Sequence, residues 1–397
     1  MELFHYMGDN SYICIFSALF EPHVGGVEAY TKGLATALTK KGNKVIVVTM
    51  NTESAPSEDA IDSIKVLRLP CYNLLKGRYP IPKKNADYRK AWKMLKSLNI
   101  ESVIINTRFY PLSIEAARFA SNAGVRPIVI EHGSAYLTLG NHVVDPFIHR
   151  VEIILINQIK KYNPCFYGVS EKASEWLSQF GITAEGEIHN AIDYVQFCSE
   201  SSNRNFREEL GIRSDSVLIS FAGRLVPEKG IVELIEAARV LEKTPEGCEG
   251  KLIIAIAGDG PLFLKADKTK PDNMILLGGL SRKDLAALML QSDACCLPSR
   301  SEGFSTVLLE AAACGIPPIA TDVGGMREIA PNNQFGILIS SMRPLDIANG
   351  IQAACRSEIG LKQMGKNVKR RVENNFSWSE TAKEAMSAME HANKGRE

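Results

Sequence analysis

Val217-Leu218-Ile219-Ser220-Phe221-Ala222 runs without a break into Gly223-Arg224-Leu225-Val226-Pro227-Glu228-Lys229-Gly230. The first six residues have the length and apolar content of a buried parallel strand, and the loop after them is bracketed by glycine. The same unit recurs along the chain. Short β-branched runs alternate with longer amphipathic stretches, the signature of βαβ units and parallel sheets. Strands are predicted over 217–222, 251–257, 274–277, 294–297, 318–321 and 336–339, and earlier over 12–16, 44–49, 64–68, 102–106, 127–131, 165–169 and 187–189. Residues 198–206 are polar and without period, and read as an interdomain linker. The expected fold is α/β: two doubly wound, Rossmann-like domains, 1–197 and 198–375, facing each other across a cleft. A helix-length tail, 376–397, carries Trp378, Ala382, Ala385, Met386 and Met389 and needs a surface to pack on.

With 397 residues, 45% of them apolar, the chain has room for more than one core, which excludes a single small binding module. Lys and Arg total 46 against 45 Asp and Glu, so a net charge of +1 gives no global attraction to nucleic acid or membrane. One local exception stands out. Residues 76–96 hold eight basic residues, Lys76, Arg78, Lys83, Lys84, Arg89, Lys90, Lys93 and Lys96, against Asp87 alone. Leu74, Leu75, Tyr79, Ile81, Tyr88, Trp92 and Leu95 are interleaved with them, so the segment is expected to rest on an anionic bilayer surface. The alternative is a solvated basic helix. The apolar run 12–20 is far shorter than the ~20 residues of a membrane span and has no basic leader. Nine cysteines without a Cys-x-x-Cys pair read as reduced packing residues of a cytoplasmic protein. No Asp-x-Asp pair and no zinc-type histidine spacing occurs, so no metal site is expected.

Chemistry concentrates where predicted strands end. Pro298-Ser299-Arg300-Ser301-Glu302-Gly303-Phe304-Ser305-Thr306 leads from a buried strand into a helix that carries Glu310. The backbone N–H groups of Phe304, Ser305 and Thr306 would point at whatever sits at that helix N-terminus, a favoured place for phosphate. Two carboxylates ~12 Å apart along a helix cannot share a proton or a metal, and suit the two ends of a hydroxyl-rich ligand. Equally, Glu302 can be a helix-dipole partner and Glu310 a solvated side chain. Arg224 and Lys229 supply a planar fork and a point charge, a pairing suited to a departing diphosphate. Gly258 and the Gly278-Gly279-Leu280 turn lie at neighbouring strand ends, where backbone groups can read a nucleobase. In the first half, Gly25-Gly26 opens a helix after the first strand, and His132 ends another strand at the same sheet edge.

Together these segments resemble the retaining GT-B glycosyltransferases of glycosyltransferase family 4, of bacterial surface-polysaccharide type. The resemblance rests on Gly25-Gly26-Val27-Glu28, the His132 strand end, Val169-Ser170-Glu171, His189-Asn190-Ala191-Ile192-Asp193, Gly223-Arg224 through Lys229-Gly230, Glu302 with Glu310, and Asp322-Val323-Gly324-Gly325. It implies an acceptor-binding first domain, a nucleotide-sugar-binding second domain, and a closing helix that crosses back onto the first. Arg224 and Lys229 would bind the donor diphosphate together with Gly223. Glu310 would hold the ribose, and Glu302 the transferred sugar, with amides from Gly303, Phe304, Ser305 and Thr306. His132 would sit beside the reacting sugar, and domain closure would bring it and Glu302 together. The donor is expected to be a UDP-sugar used without a metal or other cofactor. The implied partners are a glycan or lipid-linked acceptor and, through 76–96, the inner face of the cell membrane, with no nucleic acid. A departure is Ala191, where the family usually has glycine. The competing readings are a non-hydrolysing UDP-sugar epimerase and an inactive nucleotide-sugar-binding partner subunit.

Overall fold

The computed structural model describes residues 11–75, 77–138, 143–244, 251–357 and 359–394. The chain divides into two compact units, Met1–Asn190 with Trp378–Glu397, and Ala191–Ser377. In the first, β1 (Tyr12–Ser17), β2 (Lys44–Met50), β3 (Glu58–Ile61), β4 (Ile64–Leu69), β5 (Cys71–Leu74), β6 (Tyr79–Pro82), β7 (Ile100–Asn106), β8 (Ile128–Glu131) and β9 (Cys165–Gly168) follow in chain order. Seven of them form one sheet, β3-β4-β2-β1-β7-β8-β9, parallel except for β3. Ile13, Cys14, Ile15 and Phe16 are all buried, because helices cover both faces of a parallel sheet and no strand face is left to water. The second unit has β10 (Val217–Ala222), β11 (Leu252–Ala257), β12 (Met274–Gly278), β13 (Ala294–Leu297), β14 (Pro318–Thr321) and β15 (Ile337–Ile339). Their order is β12-β11-β10-β13-β14-β15, parallel throughout. Strand order reverses at β1 in one sheet and at β10 in the other, so each sheet has a switch point where the loops leaving two central strands diverge.

Several expectations need correction. The 187–189 segment makes only a single bridge, Gly168 to Glu187. β3 and the β5/β6 hairpin escaped the sequence reading because they are short, β3 and β5 are mostly exposed, and none has an apolar alternation that would mark it. Residues 198–206 are no linker. They join the helices Tyr194–Ser199 and Phe206–Glu209, and their polarity is used in ties within the second unit. Ser202 Oγ donates to Asp284 at 2.7 Å, and the Arg204 carbonyl accepts from Gln291 Nε2 at 2.8 Å. The chain enters the second unit after Asn190, not at 197, and leaves it after Ser377, not at 375. The two crossing segments are held side by side where the Ile192 N–H donates to the Phe376 carbonyl at 3.0 Å.

The tail forms the helix Trp378–Lys394, which packs on the helix Gly26–Lys40 of the first unit. Trp378 sits 5.8 Å from the Tyr30 ring, and the Glu384 carboxylate grips both the backbone N–H and the ring Nδ1 of His189 at 2.8 Å each. The basic segment, apart from Lys76, which lies outside the described residues, splits into β6 and the Asn85-capped helix Ala86–Lys96. Its aromatics do not face outward as expected. Tyr88 and Leu95 are buried, and Trp92 stacks on Phe16 at 6.0 Å, so this side of the helix belongs to the core. Exposed apolar groups lie instead at the hairpin, on Tyr72, Leu74 and Leu75. No disulfide joins the described cysteines; Cys14, Cys165, Cys295 and Cys296 are buried, and Cys198 and Cys314 lie 3.9 Å apart as thiols.

Candidate functional site

The second unit's switch point gathers the predicted residues from three strand ends. From β10 the chain passes Gly223 and an exposed Arg224, then turns through Pro227–Lys229. The turn is drawn against β13 because Gly230, at φ 70°, has no Cβ to collide with the Pro298 carbonyl. The Arg300 N–H donates to the Glu228 carbonyl at 2.8 Å and ties the two loops. Lys229 Nζ then lies 2.5 Å from Glu302 Oε1, which also accepts from Ser299 Oγ at 2.7 Å. From β14 the Asp322–Gly325 turn closes over them. A Cβ on Gly324, at φ 53°, would come 2.8 Å from Glu302 Cβ, so glycine there permits the close approach. Lys229 and Glu302 are thus bound to each other within one rigid frame.

The helix Thr306–Ala313 begins directly after Glu302-Gly303-Phe304-Ser305, with Ser305 as its N-cap. Ser305 Oγ accepts from the Leu308 N–H and so caps the helix, whose N-terminus carries the positive end of its dipole. Glu310 stands on this helix with its side chain only 16% exposed and Arg282 Nε 3.8 Å away. Burial pushes its carboxyl up to about 7, and Arg282 only partly opposes the shift. The solvated alternative for Glu310 is therefore excluded. Gly223, Gly258 and Gly278 are knit together by backbone bonds, Gly223 N–H to Ala257 and Gly258 N–H to Gly278, at 3.0 and 2.7 Å. Leu280, half-buried, precedes the Ser281 cap of the helix Arg282–Gln291.

In the first unit, Gly25 is the N-cap of the helix Gly26–Lys40 and brings no side-chain cap, and no atom lies within 4 Å of where a Cβ on Gly26 would be. A ligand can approach Gly26 closely, whereas the Glu28 carboxylate occupies the space over Gly25. His132 follows β8. It retains some accessible surface, yet the protein packed around it depresses its pKa to about 3, so it is neutral at physiological pH. Its ring meets Tyr30 edge-on at 4.6 Å, and its Nε2 lies 3.0 Å from Asn106 Oδ1.

Sequence reasoning gave no role to Ser299 or to Gly324, although both stood in quoted motifs. It missed Thr31, Asn106, Arg108 and Glu152 altogether, which lie in stretches that read as ordinary helix and strand. Arg108 is 1% exposed and is bound by the carboxylates of Glu131 and Glu152, the latter at 2.8 Å. Their remaining oxygens accept from the Gly133 and Leu137 N–H groups at 2.8 and 2.7 Å, which braces the loop after His132.

Comparison with known proteins fits this arrangement. Residues 24–220 match the family model described as Glycosyltransferase Family 4, and residues 202–371 the one described as Glycosyl transferases group 1. An uncharacterized glycosyltransferase of Methanocaldococcus jannaschii is 28% identical over 386 residues, covering 91% of this chain and 93% of the relative. A phosphatidylinositol N-acetylglucosaminyltransferase subunit from Homo sapiens is 25% identical over 93% of this chain and 74% of its own length. Among solved structures, sucrose-phosphate synthase from Thermosynechococcus elongatus superposes with a TM-score of 0.73 at 20% identity, over 97% of this chain and all of the other. Anabaena HepE in complex with UDP and glucose gives 0.70 at 17% identity, over 96% of this chain and all of the other. At those identities the structural likeness concerns the fold alone.

Proposed function

The chain belongs to the glycosyltransferases that those two family models describe, and from that premise we propose that it moves a hexosyl group from a UDP-sugar to a glycan or lipid-linked acceptor in polysaccharide biosynthesis, with retention of anomeric configuration and without a metal ion. The observation that carries this reading is the Lys229–Glu302–Ser299 cluster at the N-terminus of the helix that holds Glu310. Arg224, Lys229 and the amides of Gly303 to Thr306 take the diphosphate and stabilise the charge that grows as it leaves. Glu302 receives sugar hydroxyls on its second oxygen, Glu310 receives the ribose, and the loops at Gly258 and Leu280 border the base. The bond from the anomeric carbon to the diphosphate breaks, and a bond to the acceptor oxygen forms. The departing phosphate takes the acceptor's proton. Retention and the choice of UDP follow the family resemblance.

Calorimetric titration with UDP in EDTA is expected to give binding, and a strict requirement for divalent metal would overturn the metal-free clamp. The Glu310 carboxyl adds a pH signature. Its raised pKa means that its contribution to folding is full at low pH and is lost as pH rises through about 7. Ribose hydroxyls donate to the charged form, so UDP affinity should rise from pH 5.5 to 8 as that form fills. Glu310→Gln should retain only the slope due to the diphosphate itself. An unchanged slope in Glu310→Gln would remove Glu310 from the site.

The cytoplasmic, membrane-peripheral part of the proposal rests on the exposed cations Arg78, Lys83, Arg89, Lys90, Lys93 and Lys96 beside Tyr72, Leu74 and Leu75. No helix among the described residues is long and apolar enough to cross a membrane. At ~1 kcal/mol per basic residue near anionic lipid, engagement of half these cations gives reversible docking. Co-sedimentation with anionic vesicles should weaken in high salt and fall when Lys83, Lys84, Lys90 and Lys93 become Glu. Equal binding to neutral vesicles would remove these cations from the docking, and no binding to anionic vesicles at low salt would point to a soluble acceptor instead.

A further inference from the structure

In the first unit a short hydrogen-bond relay ends on His132, and its directions can be deduced atom by atom. Thr31 Oγ1 lies 2.7 Å from the Val27 carbonyl and 2.7 Å from Asn106 Nδ2. A carbonyl only accepts, so the single hydroxyl proton of Thr31 goes to Val27. Thr31 can then only accept from Asn106, which places the amide nitrogen on its side. Asn106 Oδ1 is thereby turned to His132 Nε2 at 3.0 Å, and an amide oxygen only accepts. The ring proton is therefore on Nε2. Thr31 and Asn106 are fully buried, so water does not offer either side chain another arrangement. His132 Nδ1 has no hydrogen-bond partner among the described residues and remains an acceptor.

We propose that Thr31 and Asn106 are positioning residues that lock His132 in the Nε2–H tautomer, so that its Nδ1 accepts a hydrogen bond from a hydroxyl of the sugar. This rests on the transferase reading of His132 given above. The low His132 pKa keeps the ring neutral and Nδ1 without a proton. An acceptor nitrogen selects a donor: it takes a hydroxyl and rejects a fluorine or an ether oxygen at the same place, whereas the other tautomer would not discriminate. The relay starts at Val27, one residue beyond the Gly25-Gly26 turn, so the glycine turn and His132 are parts of one frame.

The test uses the full chain labelled with 15N-histidine. Long-range proton–nitrogen spectra should show His132 with a protonated Nε2 and an unprotonated Nδ1. Thr31→Val frees Asn106 to flip and should give an averaged, mixed-tautomer signal, while Thr31→Ser keeps the hydroxyl and should restore the original one. Turnover of bound donor, read as release of UDP from UDP-glucose, UDP-galactose or UDP-N-acetylglucosamine, should fall about tenfold in Thr31→Val, the kinetic equivalent of one hydrogen bond. UDP affinity should stay unchanged in both variants. If Thr31→Val does not fold, Asn106→Leu reads the same step. A protonated Nδ1 in the unmodified chain, or a Thr31→Val protein with the original spectrum and turnover, overturns the proposal. The expected spectra without turnover of any of these donors count against the transferase reading and leave the tautomer assignment standing.

Discussion

Replacing Glu302 by Gln is expected to cut turnover of bound donor by about 10²–10³-fold while leaving UDP affinity within a few-fold of the original. That size is typical of removing one preorganised electrostatic group from a transition state. The substitution preserves shape. Its amide oxygen can still accept from Lys229 and Ser299, which now hold Oε1 at 2.5 and 2.7 Å. What is lost is the negative charge and the second acceptor oxygen. Lys229→Met should act differently, because it takes away a cation that meets the diphosphate and that neutralises Glu302. It should weaken UDP binding and lower turnover together, and Arg224→Ala should do likewise. Since Lys229 and Glu302 touch, the double variant should cost less than the product of the two single effects. His132→Ala should lower turnover without changing UDP affinity. Near-original turnover in all four single variants would move the chemistry away from these residues.

How much of this was legible depends on where the signal lay. The central strands were readable because burial on both faces leaves only apolar, β-branched residues, as in Val45-Ile46-Val47-Val48 and Ile254-Ala255-Ile256. The site loops were readable because they are glycine-bracketed interruptions at strand ends. By contrast, β5 and β6 pair only with each other, so nothing in their sequence had to alternate. The polar stretch 198–206 misled because its hydrogen-bond partners, Lys283, Asp284 and Gln291, are about 80 residues away. Spacing along the chain cannot report such pairs. The same holds for Trp92, whose neighbours suggested a membrane face but whose ring found Phe16 and Phe119. Arg108, Asn106 and Thr31 show the limit most clearly. Each is a polar residue at an apolar address, and its role follows only from which buried groups the fold sets opposite it.

Arg108→Met is expected to destabilise the first unit by about 3–5 kcal/mol, the usual cost of removing one partner from a buried ion cluster. For a domain near 200 residues this is a fall in Tm of roughly 6–20 °C. The guanidinium is the cation that neutralises the buried Glu131 and Glu152, and it also lies 4.5 Å over the Phe180 ring. Burial already raises the Glu152 pKa, with the Glu131 charge adding to the rise and Arg108 opposing it. A raised folded-state pKa means that the stabilising contribution is complete at low pH and drains away as pH rises through that value. Removing Arg108 pushes the carboxyl further up, so the deficit of the variant should be larger at pH 8 than at pH 5. All three tryptophans, Trp92, Trp176 and Trp378, belong to the first unit, so urea unfolding followed by tryptophan fluorescence reads this unit without interference from the other. Adding Glu131→Gln and Glu152→Gln to Arg108→Met removes the stranded charges and should recover part of the loss and flatten its pH dependence. A deficit below 1 kcal/mol, or one equal at both pH values, would mean that the loop after His132 is held by its backbone and packing alone.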